Sequence, residues 1–153
     1  MAKKITISKL RTVALIINRP SIKKEKYVYI AIANKFIKYP RGRSRIVYIG
    51  QTQKGKMRLA TSAAERAFLL TQHGITSLTY YIVIPKGHQH TKSWKLLETA
   101  LLAEFLHVWG DKPLACTQGK DYSLVKPSVK QARAHFTREM TEKLILDYSA
   151  GKI

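Results

Sequence analysis

The sequence predicts a single α/β (α+β) domain: a small mixed, mainly antiparallel three-stranded sheet flanked by helices, with an additional C-terminal helix. Two segments near the start, Tyr27–Ala33 and Arg45–Gln51, alternate at the period of two that a half-buried strand requires. Longer segments then repeat at helical spacing, over Lys56–Leu70, Thr91–His107 and Pro127–Ser149. A chain of 153 residues with 45% hydrophobic and 24% charged residues has enough apolar material for one core.

The net charge of +19, from 28 Lys and Arg against 9 Asp and Glu, favours a polyanionic partner, nucleic acid before an anionic membrane surface. Diffuse solubilising charge is the plainer account. The single cysteine, Cys116, excludes an intrachain disulfide and a thiolate zinc cage. It fits a reducing, intracellular (cytoplasmic) setting. The apolar run Val13–Ile17 is too short for a membrane span or a signal peptide. Residues 1–26 read as an extension packed on or beside a core of residues 27–153.

On the first strand Val28, Ile30 and Ile32 share one face, and Tyr27, Tyr29, Ala31 and Ala33 the other. On the second, Ile46, Tyr48 and Gly50 share a face, with Val47 and Ile49 opposite. A hairpin that buries the aliphatic faces brings Tyr29 and Tyr48 together on the other side. The connection, residues 34–44, contains Pro40 and Gly42 and reads as a basic loop. With the flanking Arg45, its residues Lys35, Lys38, Arg41 and Arg43 are candidate phosphate contacts, as are Lys54 and Lys56. A merely solvated loop is the alternative.

The first helix is expected to bury Met57, Ala60, Ala64, Ala67 and Phe68, with Arg58, Thr61, Ser62 and Glu65 on its polar side. Gly74 stops it. Ser77–Ile84 alternates as a third strand, and Pro85-Lys86-Gly87 turns the chain. The second helix carries Glu98 in the middle of a stripe of Trp94, Leu97, Leu101, Leu102 and Phe105, with Glu104 off to one side. A carboxylate in an apolar stripe is costly unless it is ion-paired or binds a metal, and both readings stay open. One carboxylate suffices for a Mg²⁺-type ion when water and phosphate supply the other oxygens. His88 and His90 have a chelating spacing but sit in a polar loop; His107 suits a helix C-terminus, and His135 needs no special role.

Taken in order, Val28-Tyr29, Tyr48-Ile49-Gly50, Arg58 ten residues after Tyr48, and Leu97-Glu98-Thr99-Ala100-Leu101-Leu102-Ala103-Glu104-Phe105 resemble the GIY-YIG nuclease superfamily over about residues 27–118. The resemblance implies a divalent-metal-dependent DNA endonuclease using one Mg²⁺ or Mn²⁺. By resemblance, Tyr29 acts as or positions the general base and Tyr48 holds the water or the phosphate. Arg58 stabilises the transition state and Glu98 ligates the metal. The partner implied is double-stranded DNA, with a homodimer if both strands are cut and no membrane. The chain departs from the family in four places. Tyr27 stands for the first glycine, and Tyr48 comes nineteen positions after Tyr29. Ser62 stands where many members carry histidine. Thr117 or Gln118 falls in the region of an expected asparagine. Two alternatives follow: a degenerate domain of this type that binds nucleic acid without cutting, and a basic structural RNA-binding protein.

Overall fold

The computed structural model describes residues 25–85, 92–116 and 121–153. Residues 1–24, His88, His90, Thr117 and Gln118 lie outside the described residues, as does the side chain of Phe68. The element order is β1 (Tyr27–Tyr39), β2 (Gly42–Thr52), α1 (Lys56–Thr71), β3 (Leu78–Val83), α2 (Ser93–Trp109), α3 (Pro127–His135) and α4 (Arg138–Ala150). The strands form one sheet in the order β2-β1-β3. Both pairings are antiparallel, so the mixed sheet that was expected is an antiparallel one.

Strand β1 is central and is buried on both faces from Tyr27 to Ala33. One face, with Val28, Ile30, Ile32, Ile46 and Ile49, packs on Trp94, Leu97, Leu101, Leu102 and Phe105 of α2 and Ile145 of α4. The other face presents Ala31, Ala33 and Val47 to Leu70 of α1, Ile75 and Ala115. Strand β3 alternates as its sequence suggests. Tyr81 and Val83 border the larger cluster, while Leu78 and Tyr80 border the smaller.

Alternation fails on β2. Ala31 pairs with Tyr48 but Ile32 pairs with Ile46, so Val47 is an extra residue in the ladder. This bulge turns Ile46 to the α2 side while Tyr48 stays on the opposite face, whereas strict alternation keeps the two together.

The expected basic loop is a β-ribbon. β1 continues to Tyr39, and Pro40-Arg41 alone joins it to β2. The ribbon is tied to the body. Tyr39 donates its hydroxyl proton to the Ile46 carbonyl at 2.9 Å, and the Arg41 amide donates to the Trp109 carbonyl at 3.0 Å. The buried Ser44 hydroxyl meets that of Ser149 on α4 at 2.7 Å. Gly42 has a φ of +151°, and a Cβ there would come within 2.7 Å of the Trp109 ring.

Helix α1 is rotated relative to the expectation. Met57, Ala60, Ala64 and Ala67 are exposed, and the inward stripe is Leu59, Ser62, Ala63, Arg66, Leu69 and Leu70. Alanines bury little area, and the leucines decide which side faces the sheet. The expected final helix is two. Phe136 is extended and packs against the larger cluster, and Thr137 caps α4 by accepting from the Met140 amide at 3.5 Å.

Glu104, not Glu98, is the fully buried acid of α2. Its two oxygens face Arg133 of α3 at 2.5 Å and Arg138 of α4 at 3.4 Å. The Arg133 contact is a charge pairing without hydrogen-bond alignment. Glu104 thereby joins both C-terminal helices to α2, the structural ion pair that Glu98 alone had suggested.

Candidate active site on the tyrosine face

Four tyrosines gather on the α1 side of the sheet. Tyr27 and Tyr29 share that face by the period of two, with ring centroids 6.5 Å apart. Tyr29 lies 5.8 Å from Tyr48 across the β1–β2 ladder and 6.2 Å from Tyr80 on β3. The pairing of Tyr29 with Tyr48 is thus the one expected from the sequence. Gly50, directly opposite Tyr29, makes room for it. A Cβ on Gly50 would come within 2.7 Å of the Tyr48 ring and 3.0 Å of the Tyr29 ring.

The guanidinium in this cluster belongs to Arg66. It lies 3.9 Å from the centroid of the Tyr48 ring, a cation–π contact. Its Nη1 donates to the buried Ser62 hydroxyl at 3.1 Å and reaches Glu65 at 3.5 Å. Arg58 is exposed in the first turn of α1. Arg66 sits two helical turns further on, so it falls on the inward stripe with Ser62 and Leu70. The signal that could have found it is the run Leu59, Ser62, Arg66 and Leu70, at spacings of three and four. That signal was masked by the more numerous alanines.

Burial holds the Tyr48 phenol well above its ordinary range. The neighbouring Tyr29 adds to the rise, and the Arg66 charge opposes it. Tyr80 is pushed up to about 12 by burial, again against Arg66. Tyr48 therefore enters the neutral pH range as a hydrogen-bond donor.

At the free edge of β2 the Ala115 amide donates to the Val47 carbonyl at 2.8 Å. Cys116 follows, its thiol 3.6 Å from the Ile49 carbonyl. Burial pushes this thiol up to about 11; Arg66 draws it down and Glu98 raises it. Glu98 is half-buried on α2, and its charge also raises Tyr122, after burial. Cys116 is thus within electrostatic reach of the arginine of the tyrosine face and of the Glu98 carboxylate. Among the described residues no group of three or more His, Cys, Asp or Glu side chains could hold a metal ion. A cation at Glu98 would be held by one carboxylate with oxygens from water and phosphate, a donor set that suits Mg²⁺ or Mn²⁺ and not zinc.

Of the candidate phosphate contacts, Lys35, Lys38, Arg41 and Arg43 are exposed on the ribbon, and Lys54 and Lys56 are exposed where β2 meets α1. Arg45 is half-buried, its guanidinium 4.7 Å from the centroid of the Phe36 ring. His107 lies in the last turn of α2, and its carbonyl accepts from Arg41 Nη1. His135 lies in the last turn of α3. Among the described residues no helix is long and apolar enough to cross a membrane. Neither a family model, nor a curated protein, nor a solved structure matches the chain.

Arg66→Met removes the partner of the buried Ser62 hydroxyl together with the stacking on Tyr48. It should cost about 1–3 kcal/mol in urea denaturation. Arg58→Ala, at an exposed position, should change stability by less than about 0.5 kcal/mol. Equal effects of the two would contradict the placement of α1.

The raised phenols give a second test. Tyr27, Tyr39, Tyr48, Tyr80, Tyr122 and Tyr148 are all raised above 10.0, with burial as the first cause. The unfolded chain loses these protons first, so stability is intact below about pH 10 and falls as pH rises beyond it. Tyrosinate absorbance should appear with unfolding. Full ionisation near pH 10 with the fold intact would contradict the burial.

Proposed function

We propose that the chain is a divalent-metal-dependent DNA endonuclease of the GIY-YIG type. The observation that carries this reading is the Tyr29–Tyr48 pair, its ring centroids 5.8 Å apart and tilted at 41° over Gly50, with an arginine stacked on Tyr48. The half-buried Glu98 lies within electrostatic reach of the adjoining strand edge. Two phenols and a guanidinium on one sheet face, with a carboxylate on α2 within electrostatic reach of the β2 edge, suit hydrolysis of a phosphodiester by water.

Tyr48, neutral at pH 7, donates a hydrogen bond to the attacking water or to a phosphate oxygen. Tyr29, its close neighbour, positions that water for attack, and the water's proton leaves to solvent. Arg66 sets the Tyr48 ring and adds positive charge where negative charge grows on the phosphate. Exposed Arg58 serves as a contact to the DNA backbone beside Lys54 and Lys56. Glu98 would hold the cation, which when bound supplies Lewis-acid polarisation of the phosphate. The ribbon carrying Lys35, Lys38, Arg41 and Arg43 tracks the backbone of a double-stranded substrate, and a homodimer would cut both strands.

A second reading, a domain of the same type that binds nucleic acid without cutting, is favoured by one observation. The arginine at the tyrosines is Arg66, whereas the resemblance assigns the role to Arg58.

The test is cleavage of supercoiled plasmid and of a panel of branched and linear DNAs with Mg²⁺ or Mn²⁺. Wild type should nick or linearise DNA; chelator should abolish this, and Glu98→Gln should lower it by at least about 100-fold. Salt-sensitive binding by both proteins with no cutting by either would select the second reading. Absence of binding would remove both.

A further inference from the structure

The base of the ribbon meets α2 and α4 in a groove of about 310 Å³. Its walls include Phe36, Trp109 and Leu146, and Arg43, Asp147 and Lys152 line it as well. The ladder explains how Phe36 comes to be there. Between the pairs Ile32–Ile46 and Ile37–Ser44, four residues of β1 face only Arg45 of β2. The excess bows β1 outward and leaves Phe36 45% exposed. The Arg45 guanidinium lies over the ring at 4.7 Å and holds it in place.

Trp109 is also fixed before any ligand arrives. Its Nε1 donates to the Ser149 hydroxyl at 3.1 Å, and its ring lies where a side chain on Gly42 would strike it. Two aromatic walls that need no rearrangement, one of them under a guanidinium, form a stacking platform for a planar ring. The charge around it is cationic along the strand pair that leads to it, at Lys35, Lys38 and Arg43, and again at Lys152 beyond α4. Asp147 adds an acceptor for a ring N–H.

We infer that this groove binds an unpaired nucleobase of single-stranded DNA, stacked against Phe36 and Trp109, with Arg43 and Lys152 on the flanking phosphates. A duplex keeps its base faces covered and cannot use such walls, whereas a displaced or frayed strand can. The inference deepens the nucleic-acid reading above and needs that reading only in so far as the chain binds DNA. It gives the substrate a shape: a duplex on the basic ribbon with an unpaired nucleotide beside it.

The experiment uses the full chain in chelator, so that no cleavage is needed. Binding is read from tryptophan fluorescence, to which the buried Trp94 adds a constant background. The probes are an oligothymidylate of ten nucleotides, an abasic deoxyribose phosphate of the same length, and a duplex. Oligothymidylate should quench Trp109 and bind about 5- to 150-fold more tightly than the abasic strand. Phe36→Ala should bring it to the abasic level and leave abasic and duplex binding unchanged, and Trp109→Phe should remove the quenching. Equal binding of oligothymidylate and abasic strand, or indifference to Phe36→Ala, would overturn the inference. If the duplex binds in that case, the nucleic-acid reading stands and only the groove is lost. If none of the three probes binds, both are lost.

Discussion

The two-sided burial of β1 is the constraint from which the other positions follow. A central strand hydrogen-bonded on both edges has no free backbone to satisfy, so its side chains alone decide what covers each face. Val28, Ile30 and Ile32 call for the large apolar surface of α2 and α4. Tyr27, Tyr29, Ala31 and Ala33 call for something shallower, because the alanines leave little to fill and the tyrosines carry hydroxyls. The thin stripe of α1 meets that second face, with a serine and an arginine where a leucine would otherwise sit. The polar chemistry of the candidate site is therefore a consequence of the smaller core on that side.

Two departures from regular sheet geometry determine what the tyrosines and the ribbon present. The bulge at Val47 lets Ile46 enter the large cluster while Tyr48 remains beside Tyr29. The wider irregularity between Ile32 and Ile37 bends β1 away from the sheet and carries the basic ribbon toward α2 and α4. Both add residues to one strand only, so each re-aims side chains without breaking the hairpin. Glu104 holds the other side of the ribbon's support together, since Ser149 and Trp109 sit on the two helices that its ion pairs help to join.

Much of this was legible in the residues. The period of two on Tyr27–Ala33 sufficed to put Tyr29 beside Tyr48, and the length and spacing of α2 sufficed to find that helix. What was not legible shares a physical cause: local pattern carries no record of how neighbouring elements pack. An extra residue such as Val47 has no signature in a run of β-branched and aromatic residues. The facing of α1 was obscured because Met57 and the alanines outnumber Leu59 and Leu70, although the leucines bury more area. Glu104 looked peripheral on a helical wheel with a single apolar stripe; α2 is covered on a further side by α3 and α4, and that makes its flank interior. The ribbon read as a loop because charge and proline suggest one, while Tyr39 and Ser44 secure it through contacts distant in sequence.

The proposal that Glu98 and the tyrosine face form one metal-dependent centre has a direct test. Paramagnetic broadening tests it without knowledge of any DNA target. Mn²⁺ is titrated into the full chain with labelled tyrosine rings, and the ring signals are followed in wild type and in Glu98→Gln. Saturable broadening is expected at Tyr122, whose phenol the Glu98 charge reaches, and at Tyr48 and Tyr29. In Glu98→Gln the effect should vanish. Uniform broadening of all eight tyrosines, or the same broadening in the variant, would contradict it.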